Sequence, residues 1–214
     1  MIFGQTFTKL LYRFYNIVIF SNLRISNIIN NIMFIILFME TRINNNEYLL
    51  DVFIEITKNS HIKYEYDKNK KALVCDRILR TPFKYFFNYG FIPDTLSEDG
   101  DPIDAVIVMD DELIPGTYIK CKLIGCLETC DDEGNDPKLI LYPSNKVDPK
   151  YYDINDITDV NKIILEKIEY FFQHYKVLEN KKVIVKNFLD KNSSIKIYED
   201  SIFRYKNNLI NETK

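Results

Sequence analysis

The sequence is poor in the residue types that soft-metal and disulfide chemistry require. It contains no tryptophan, only two histidines and only four cysteines in 214 residues. No two cysteines have C-x-x-C spacing, and two histidines are too few to favour a Cys/His zinc site. We interpret the cysteines as small core residues of a protein in a reducing compartment. A metal site would then be built from oxygen ligands, which favours Mg²⁺, Mn²⁺ or Ca²⁺.

The chain also lacks an excess of basic charge and a long apolar run. Its formal net charge is −3 at neutral pH, so it has no positive field of the kind that drives nucleic-acid binding. The apolar runs NIVIF and IMFIILF are too short to span a bilayer. We therefore expect neither a nucleic-acid partner nor a membrane partner. With 46% hydrophobic and 28% charged residues, the chain is most simply one globular domain with an appendage.

Residues 1–46 differ in composition from the remainder of the chain. They are rich in Ile, Asn and Phe and contain no acidic residue before Glu40. Acid-poor, basic N-termini are typical of organelle targeting, but Met39 is an alternative start that would make the upstream residues spurious. On either interpretation we predict a poorly packed extension over 1–46 and a folded domain over 47–210. We expect a cytoplasmic protein, with organelle targeting by residues 1–38 as the alternative.

From Leu49 onward the hydrophobic pattern indicates strands first and helices later. In LLDVFIEIT, Phe53 and Glu55 alternate with aliphatic residues at the period of a half-buried strand. A hairpin is predicted over 61–79, and further strands are predicted over 105–109, 118–129 and 138–142. Apolar residues at three- and four-residue steps predict one helix after Asp156 and a second within SSIKIYEDSIFRYKN. This order predicts an α+β, mainly β fold, in which helices pack outside a closed or nearly closed barrel.

The stretch LSEDGDPIDAVIVMDD places several acidic residues directly before a predicted buried strand. Asp99, Asp101 and Asp104 are separated by Gly100, which permits a tight bend, and by Pro102, which fixes φ. Carboxylates held this close need a compensating positive charge, and an oxygen-bound divalent cation supplies one. The glycine position does not fit an EF-hand loop. A solvated acidic turn is the alternative for this segment taken alone.

A second acidic cluster and several basic residues complete the pattern. The segment CDDEGNDPK supplies Asp131, Asp132, Glu133 and Asp136, which taken alone also fit a solvated hairpin turn. Basic residues lie on or beside predicted strands or a helix end, namely Lys63, Arg77, Lys138 and Lys176. Each of these by itself fits a surface salt bridge. Together, the two groups indicate a site for metal ions and an oxygen-rich anion, namely phosphate.

Several segments of the chain resemble those of a known family. EDGDPIDAVIV is similar to the D-G-D-P-x-D-x-x-V signature of the soluble family I inorganic pyrophosphatases, which hydrolyse pyrophosphate to two phosphates. Further landmarks of that family match in order, and they are FIEI, IKYEYDK, CDRIL, YFFNYGFIPDTL, LIPGTYIKCKLIG, DDEGNDPKLI and FFQHYKVLE. The resemblance covers about residues 50–180.

The resemblance implies a role for each matching residue. It implies that Asp101 is the general base that takes a proton from a metal-bridged water or hydroxide. Metal ligation is implied for Asp99, Asp104, Asp131 and Asp136. Binding of the phosphates is implied for Lys63, Arg77, Tyr89, Lys138, Tyr175 and Lys176. The other polar residues of the same cavity are Glu55, Glu65, Tyr85 and Asp132, the last of which stands where many relatives carry Glu.

The resemblance also implies a fold, a cofactor and an assembly. The family fold is an OB-like five-stranded β-barrel with outer α-helices, and its physiological metal is Mg²⁺, with several ions per site and Mn²⁺ as an alternative. A homo-oligomer is implied, and the compact domain favours a hexamer over a dimer. Two alternatives remain open: a catalytically inactive relative that binds phosphate or a partner, and an OB-type nucleic-acid binder, which the acidic charge balance disfavours.

Overall fold

The computed structural model describes residues 47–131 and 134–212. The prediction for the extension over residues 1–46 lies outside this part of the chain. The described residues form nine β-strands: β1 (Leu49–Ile56), β2 (Ile62–Asp67), β3 (Ala72–Ile78), β4 (Asn88–Phe91), β5 (Asp104–Ile107), β6 (Tyr118–Asp131), β7 (Gly134–Asn135), β8 (Lys138–Pro143) and β9 (Ile184–Leu189). They also form two α-helices, α1 (Lys162–His174) and α2 (Lys191–Glu212). The hairpin β2–β3 was predicted, whereas β4, β7 and β9 were not.

Five of these strands close into a barrel. β1 pairs with β4, β4 with β5, β5 with β8, β8 with β6, and β6 returns to β1. Each barrel strand therefore has a neighbour on both sides, and the β5–β8 pair is parallel while the others are antiparallel. The predicted α+β, mainly β fold with an OB-like five-stranded barrel is confirmed. β7 and β9 pair with β6, and β2–β3 forms a separate two-stranded sheet.

The barrel interior is filled by aliphatic side chains with no solvent exposure, including Val52, Ile54, Ile107, Leu123 and Leu141. Gly90 on β4 is required by the close approach of β1. A Cβ atom at position 90 would lie 1.8 Å from the carbonyl oxygen of Phe53, which is far inside any contact distance that packed atoms tolerate. The absence of a side chain therefore allows β4 to complete the barrel.

Strand β1 is buried on both faces, so the predicted half-buried alternation is wrong. Phe53 and Glu55 are each only 8% exposed. The Phe53 ring packs against the rings of Tyr66, Phe91 and Tyr118, with centroids 5.2 Å away in each case. The outer face of β1 is thus covered by the β2–β3 hairpin and by aromatic residues of neighbouring strands, which sequence periodicity does not reveal.

Helix α1 begins at a cap supplied by Asn161, whose side chain accepts a hydrogen bond from the Ile163 amide at 2.9 Å. Its buried residues are Ile168, Phe171 and Phe172, which belong to the core. The helix ends at His174 and so delivers Tyr175 and Lys176 directly after its last turn. Within the part of the chain that the structure describes, neither helix is long and apolar enough to cross a membrane.

Candidate active site

The centre of the site is a buried lysine held between two aspartates. The parallel register of β5 and β8 pairs Asp104 with Lys138. Lys138 is only 3% exposed, and its ammonium group donates to the carboxylates of both Asp104 and Asp136. Burial opposes the charge of Lys138, but the two carboxylates outweigh burial and raise the pKa of the lysine. One buried cation therefore holds together acids from the two acidic bends.

The first acidic bend is organised by its own backbone. The Ser97 amide donates to the carbonyl of Asp101 at 2.7 Å, and the Gly100 amide donates to the carbonyl of Ser97 at 3.2 Å. The Asp101 amide donates to a carboxylate oxygen of Asp99 at 3.1 Å. Gly100 has a φ of 94°, a conformation that glycine adopts without strain. The carboxyl groups of this bend are therefore held close together on the protein.

The second acidic bend lies against the first. The side-chain amide of Asn135 donates to the carboxylate of Glu98 at 2.9 Å. The Asp136 amide donates to the carbonyl of Thr129 at 2.9 Å, and the Thr129 hydroxyl donates to the carbonyl of Asp136. The structure therefore brings the two acidic bends of the sequence together at one end of the barrel.

Burial, to which the charges of neighbouring acids add, disfavours the charged form of these carboxylates. Burial, followed by the nearby charge of Asp104, raises the pKa of Asp101. Burial is also the main cause of the raised pKa of Asp99. The pKa of Asp136 is raised to about 6 by burial and then by Asp104, even though Lys138 opposes the shift. An added cation would relieve the repulsion among these groups.

The chemistry of this group suits a hard divalent cation. Its members are carboxylates, the oxygen ligands that Mg²⁺ and Mn²⁺ prefer. The charge of Asp104 adds to the raised pKa of Asp99 and of Asp136, so a cation beside these groups would be favourable. Among residues 47–131 and 134–212, no three acidic, histidine or cysteine side chains are arranged as a metal cage. In the structure, Asp104 and Asp136 face Lys138 instead. The side chains of Asp131 and Asp132 lie outside the described part.

The β2–β3 hairpin carries the cations that face the acids. Lys63 pairs with Arg77 across the hairpin, and the Lys63 ammonium contacts Glu65 and lies 3.8 Å from Asp76. Arg77 contacts its chain neighbour Asp76 through Nη1. Its Nη2 is buried and has no hydrogen-bond acceptor among the described residues. A buried guanidinium donor without an acceptor is well suited to an incoming phosphate oxygen.

Three tyrosines form the wall between the acids and the hairpin. The rings of Tyr85 and Tyr89 lie 5.6 Å apart, and Tyr175 stacks on Phe171 at 5.1 Å. The Tyr89 hydroxyl interacts with Asp104. Burial raises the pKa of Tyr175 to about 12 in spite of the nearby lysines, so its hydroxyl stays protonated at neutral pH. These side chains offer hydrogen-bond donors without adding charge.

A cavity of about 570 Å³ lies between the β2–β3 hairpin and the first acidic bend. It is lined by hairpin residues, among them Glu65, and by Asp101 of the first acidic bend. Glu55 lies nearby, where its carboxylate accepts a hydrogen bond from the Tyr66 amide at 2.7 Å. Burial is the largest cause of the raised pKa of Glu55, which is about 8, and the charges of Asp104 and Glu65 add to it. The carboxylates that line the cavity are those of Glu65, Asp67, Asp76 and Asp101, and Lys68 supplies a positive charge beside them.

The structure unites most, though not all, of the residues that the sequence singled out. It groups Glu55, Lys63, Glu65, Arg77, Tyr85, Tyr89, Asp99, Asp101, Asp104, Asp136, Lys138 and Tyr175. Lys176 lies over the ring of Tyr175, with its ammonium 5.4 Å from the centroid. Two carboxylates of the site were missed by the sequence analysis, Asp76 and Glu179, both of which contact Arg77. Asp76 could have been suspected from its position directly before Arg77 on a strand, whereas only the folded chain brings Glu179 to Arg77.

Comparison with known proteins places this site in a family. The family model described as inorganic pyrophosphatase matches residues 52–206. The chain belongs to the inorganic pyrophosphatase family. The resemblance noted in the sequence is thereby confirmed over a range that includes both acidic bends, the hairpin and α1.

Relatives of inorganic pyrophosphatase type are similar to this chain over nearly their whole length. The inorganic pyrophosphatase of Nanoarchaeum equitans is 48% identical over 155 residues, which is 72% of this chain and 96% of that protein. The Helicobacter pylori inorganic pyrophosphatase is 47% identical over 157 residues, which is 73% of this chain and 91% of that protein. A solved structure of an inorganic pyrophosphatase from Helicobacter pylori has a TM-score of 0.72 and 46% identity, and the match covers 74% of this chain and 94% of that one.

Proposed function

We propose that the protein hydrolyses inorganic pyrophosphate to two orthophosphates. The observation that carries the proposal is the juxtaposition of two acidic bends, joined by buried Lys138, with the basic hairpin that bears Lys63 and Arg77. A diphosphate anion needs positive charge around its oxygens and a nucleophile activated beside its phosphorus. The acidic bends are suited to the second task, and Lys63, Arg77 and Lys138 are suited to the first. Membership of the inorganic pyrophosphatase family supports the same reaction.

The phosphate groups are held by cations and by neutral donors. Lys63, Arg77, Lys138 and Lys176 supply positive charge, and the guanidinium of Arg77 has an unused donor for a phosphate oxygen. The hydroxyls of Tyr89 and Tyr175 donate without adding charge. Because these side chains come from a hairpin, from barrel strands and from the end of α1, the bound anion is fixed from several directions. This fixation would hold the bond to be broken in one orientation relative to the acidic bends.

Divalent ions would bind at the two acidic bends, where Asp99, Asp104, Asp131 and Asp136 would hold them. Mg²⁺ is the proposed ion, with several ions per site and Mn²⁺ as a substitute, because all four ligands are carboxylates. When bound, such ions neutralise the substrate and make water more acidic. Lys138 neutralises Asp104 and Asp136 while these ligands are free of metal. The residue at position 132 is Asp, one methylene shorter than Glu, and the family resemblance assigns it, with Glu55, Glu65 and Tyr85, to the polar residues around the site.

Asp101 is the proposed general base. It lines the cavity, and burial together with Asp104 raises its pKa above the ordinary value. A carboxylate with a raised pKa is a stronger base and takes the proton of an attacking water more readily. The hydrogen bond from the Asp101 amide to Asp99 fixes the backbone at this position. The base is therefore set in place before substrate arrives.

The test is phosphate release from pyrophosphate by the full chain, with and without Mg²⁺. Asp101→Asn and Asp104→Asn are each expected to lower kcat by about a thousandfold or more while the protein still folds. Asp110→Asn is the matched control, because Asp110 is a surface residue paired with Lys150, and its rate should equal that of wild type. Wild-type rates in both site variants would refute the mechanism. No pyrophosphate hydrolysis by the wild-type chain would refute the proposed function itself.

We propose that residues 47–210 form the catalytic domain and that the protein is a cytoplasmic homo-oligomer, a hexamer rather than a dimer. The compact domain and the family membership support the assembly. Mass spectrometry of the mature N-terminus would decide between an extension, a targeting segment and a later start at Met39.

A further inference from the structure

One carboxylate at the edge of the site has no role in the mechanism above. Glu179 ends a one-turn 3₁₀-helix, Val177–Glu179, which directly follows Tyr175 and Lys176. Its side chain is only 9% exposed, and its Oε2 atom lies 3.0 Å from Nε of Arg77. The contact joins two distant parts of the chain, the β2–β3 hairpin and the end of α1. It therefore links the side chains that the proposed function assigns to phosphate binding.

The three nitrogen atoms of the Arg77 guanidinium have different surroundings. Nη1 contacts Asp76, Nε faces Glu179, and Nη2 is buried without an acceptor among the described residues. The contact at Nε is an ion pair rather than a well-aligned hydrogen bond. Burial opposes the charge of Arg77, but the carboxylates of Glu179 and Asp76 outweigh it and raise the pKa of Arg77. The two acids thus occupy two edges and leave the third for an anion.

The turn that carries Glu179 is itself fixed. The Glu179 amide donates to the carbonyl of Lys176 at 2.9 Å. The hydroxyl of Thr81, which follows the hairpin, donates to the carbonyl of Tyr175 at 3.3 Å. Oε1 of Glu179 has no hydrogen-bond donor among the described residues, so the side chain is held in its buried place without a full set of partners. A buried carboxylate kept at such a cost suggests a use beyond stability.

We propose that Glu179 is a positioning residue that orients the guanidinium of Arg77 so that Nη2 faces the pyrophosphate. The inference rests on the proposed function and adds a residue to it. Without Glu179, Arg77 keeps its charge but only Asp76, its neighbour on the same strand, directs it. Asp76 cannot tie the hairpin to the end of α1, because both residues belong to β3. Loss of the Glu179 carboxylate should therefore change the position of Nη2 of Arg77 without removing this donor.

The change Glu179→Gln tests this because two explanations predict opposite signs. The substitution keeps the size of the side chain and removes its charge. If Glu179 only lowered the local positive charge, its loss would strengthen anion binding and lower KM for pyrophosphate. If it positions Arg77, KM should rise, by about tenfold, with kcat changed by less than about threefold at saturating Mg²⁺. Glu179→Asp keeps the charge at a greater distance and should show a smaller rise.

The decisive measurement is a double-mutant cycle with Arg77→Ala. Glu179→Gln should have no further effect on kcat/KM in the Arg77→Ala background, because there is then nothing to position. The double variant leaves neither charged member of the pair buried alone, and Glu179→Asp, which keeps the charge, reports on the inference where Glu179→Gln folds poorly. Independent losses that multiply, or a KM at or below that of wild type in Glu179→Gln, would overturn the proposal. Glu166→Gln, which removes an exposed carboxylate paired with Lys162 on α1, controls for loss of one charge. The wild-type rate tests the proposed function separately.

Discussion

The buried carboxyl of Glu55 gives a prediction that requires neither metal nor substrate. Glu55 is 8% exposed, and burial raises its pKa from the ordinary 4.5 to about 8 in the folded protein. The folded protein therefore retains this proton over a pH range in which the unfolded chain has lost it. The stability that Glu55 contributes is complete below the unfolded pKa of 4.5. It is lost as the pH rises toward about 8, where the folded protein also releases the proton.

The size of the effect follows from the shift. At about 1.4 kcal/mol per pKa unit, this shift corresponds to about 5 kcal/mol in total, of which about 3 to 4 kcal/mol falls between about pH 5 and about pH 8. The variant Glu55→Gln has no proton to lose at this position. Relative to wild type, its free energy of unfolding should rise by that amount as the pH increases over the same interval.

Urea unfolding of the full chain in a chelator measures this difference at a series of pH values. Other acids of the site titrate in both proteins, so the difference between them isolates position 55. Glu166→Gln on the exposed face of α1 controls for the removal of a carboxylate. A stability difference between Glu55→Gln and wild type that stays constant within about 1 kcal/mol from about pH 5 to about pH 8 would refute the argument from burial.

Two further predictions concern the frame of the site. Lys138→Met should lower the free energy of unfolding of the metal-free protein by about 3 kcal/mol, because it leaves Asp104 and Asp136 facing each other without a cation. Urea unfolding with and without Mg²⁺ checks this, and equal stability of variant and wild type in chelator would contradict it. Gly90→Ala should cost about 3 kcal/mol or more, because its Cβ would meet the carbonyl of Phe53. A melting temperature equal to that of wild type would show that β1 and β4 separate at little cost.

Much of the fold was readable from the sequence because most strands carry a local signal. The hairpin β2–β3 has a polar turn between two apolar runs, and β6 is long and rich in apolar residues. Strand β4 has only the four residues Asn88–Phe91, of which Asn88, Tyr89 and Gly90 are buried. Its sequence shows no alternation and contains a glycine that weakens strands in general. What makes it a strand is pairing with β1 and β5, which no local pattern contains.

The site was readable to a similar extent and for a related reason. Acids crowded along the chain, such as Asp99, Asp101 and Asp104, are conspicuous because their repulsion must be compensated. Glu179 is an ordinary acid in a polar turn, and its importance arises only when the fold buries it beside Arg77. The alternation predicted for Glu55 failed for the same reason, since its cover comes from another part of the chain. Sequence patterns indicate which residues are neighbours along the chain, whereas burial and pairing between distant segments arise only in the folded structure.

The separation of the β2–β3 hairpin from the closed barrel has a consequence for how the enzyme tolerates motion. Acids such as Asp104 lie on strands that are locked on both sides, whereas Lys63 and Arg77 lie on a two-stranded sheet of its own. Asp104 and Lys138 are therefore fixed by the barrel itself, whereas the positions of Lys63 and Arg77 depend on links such as the contact between Arg77 and Glu179. Loss of such a link would shift the cations of the hairpin while the barrel, closed by its own strand pairs, stays intact.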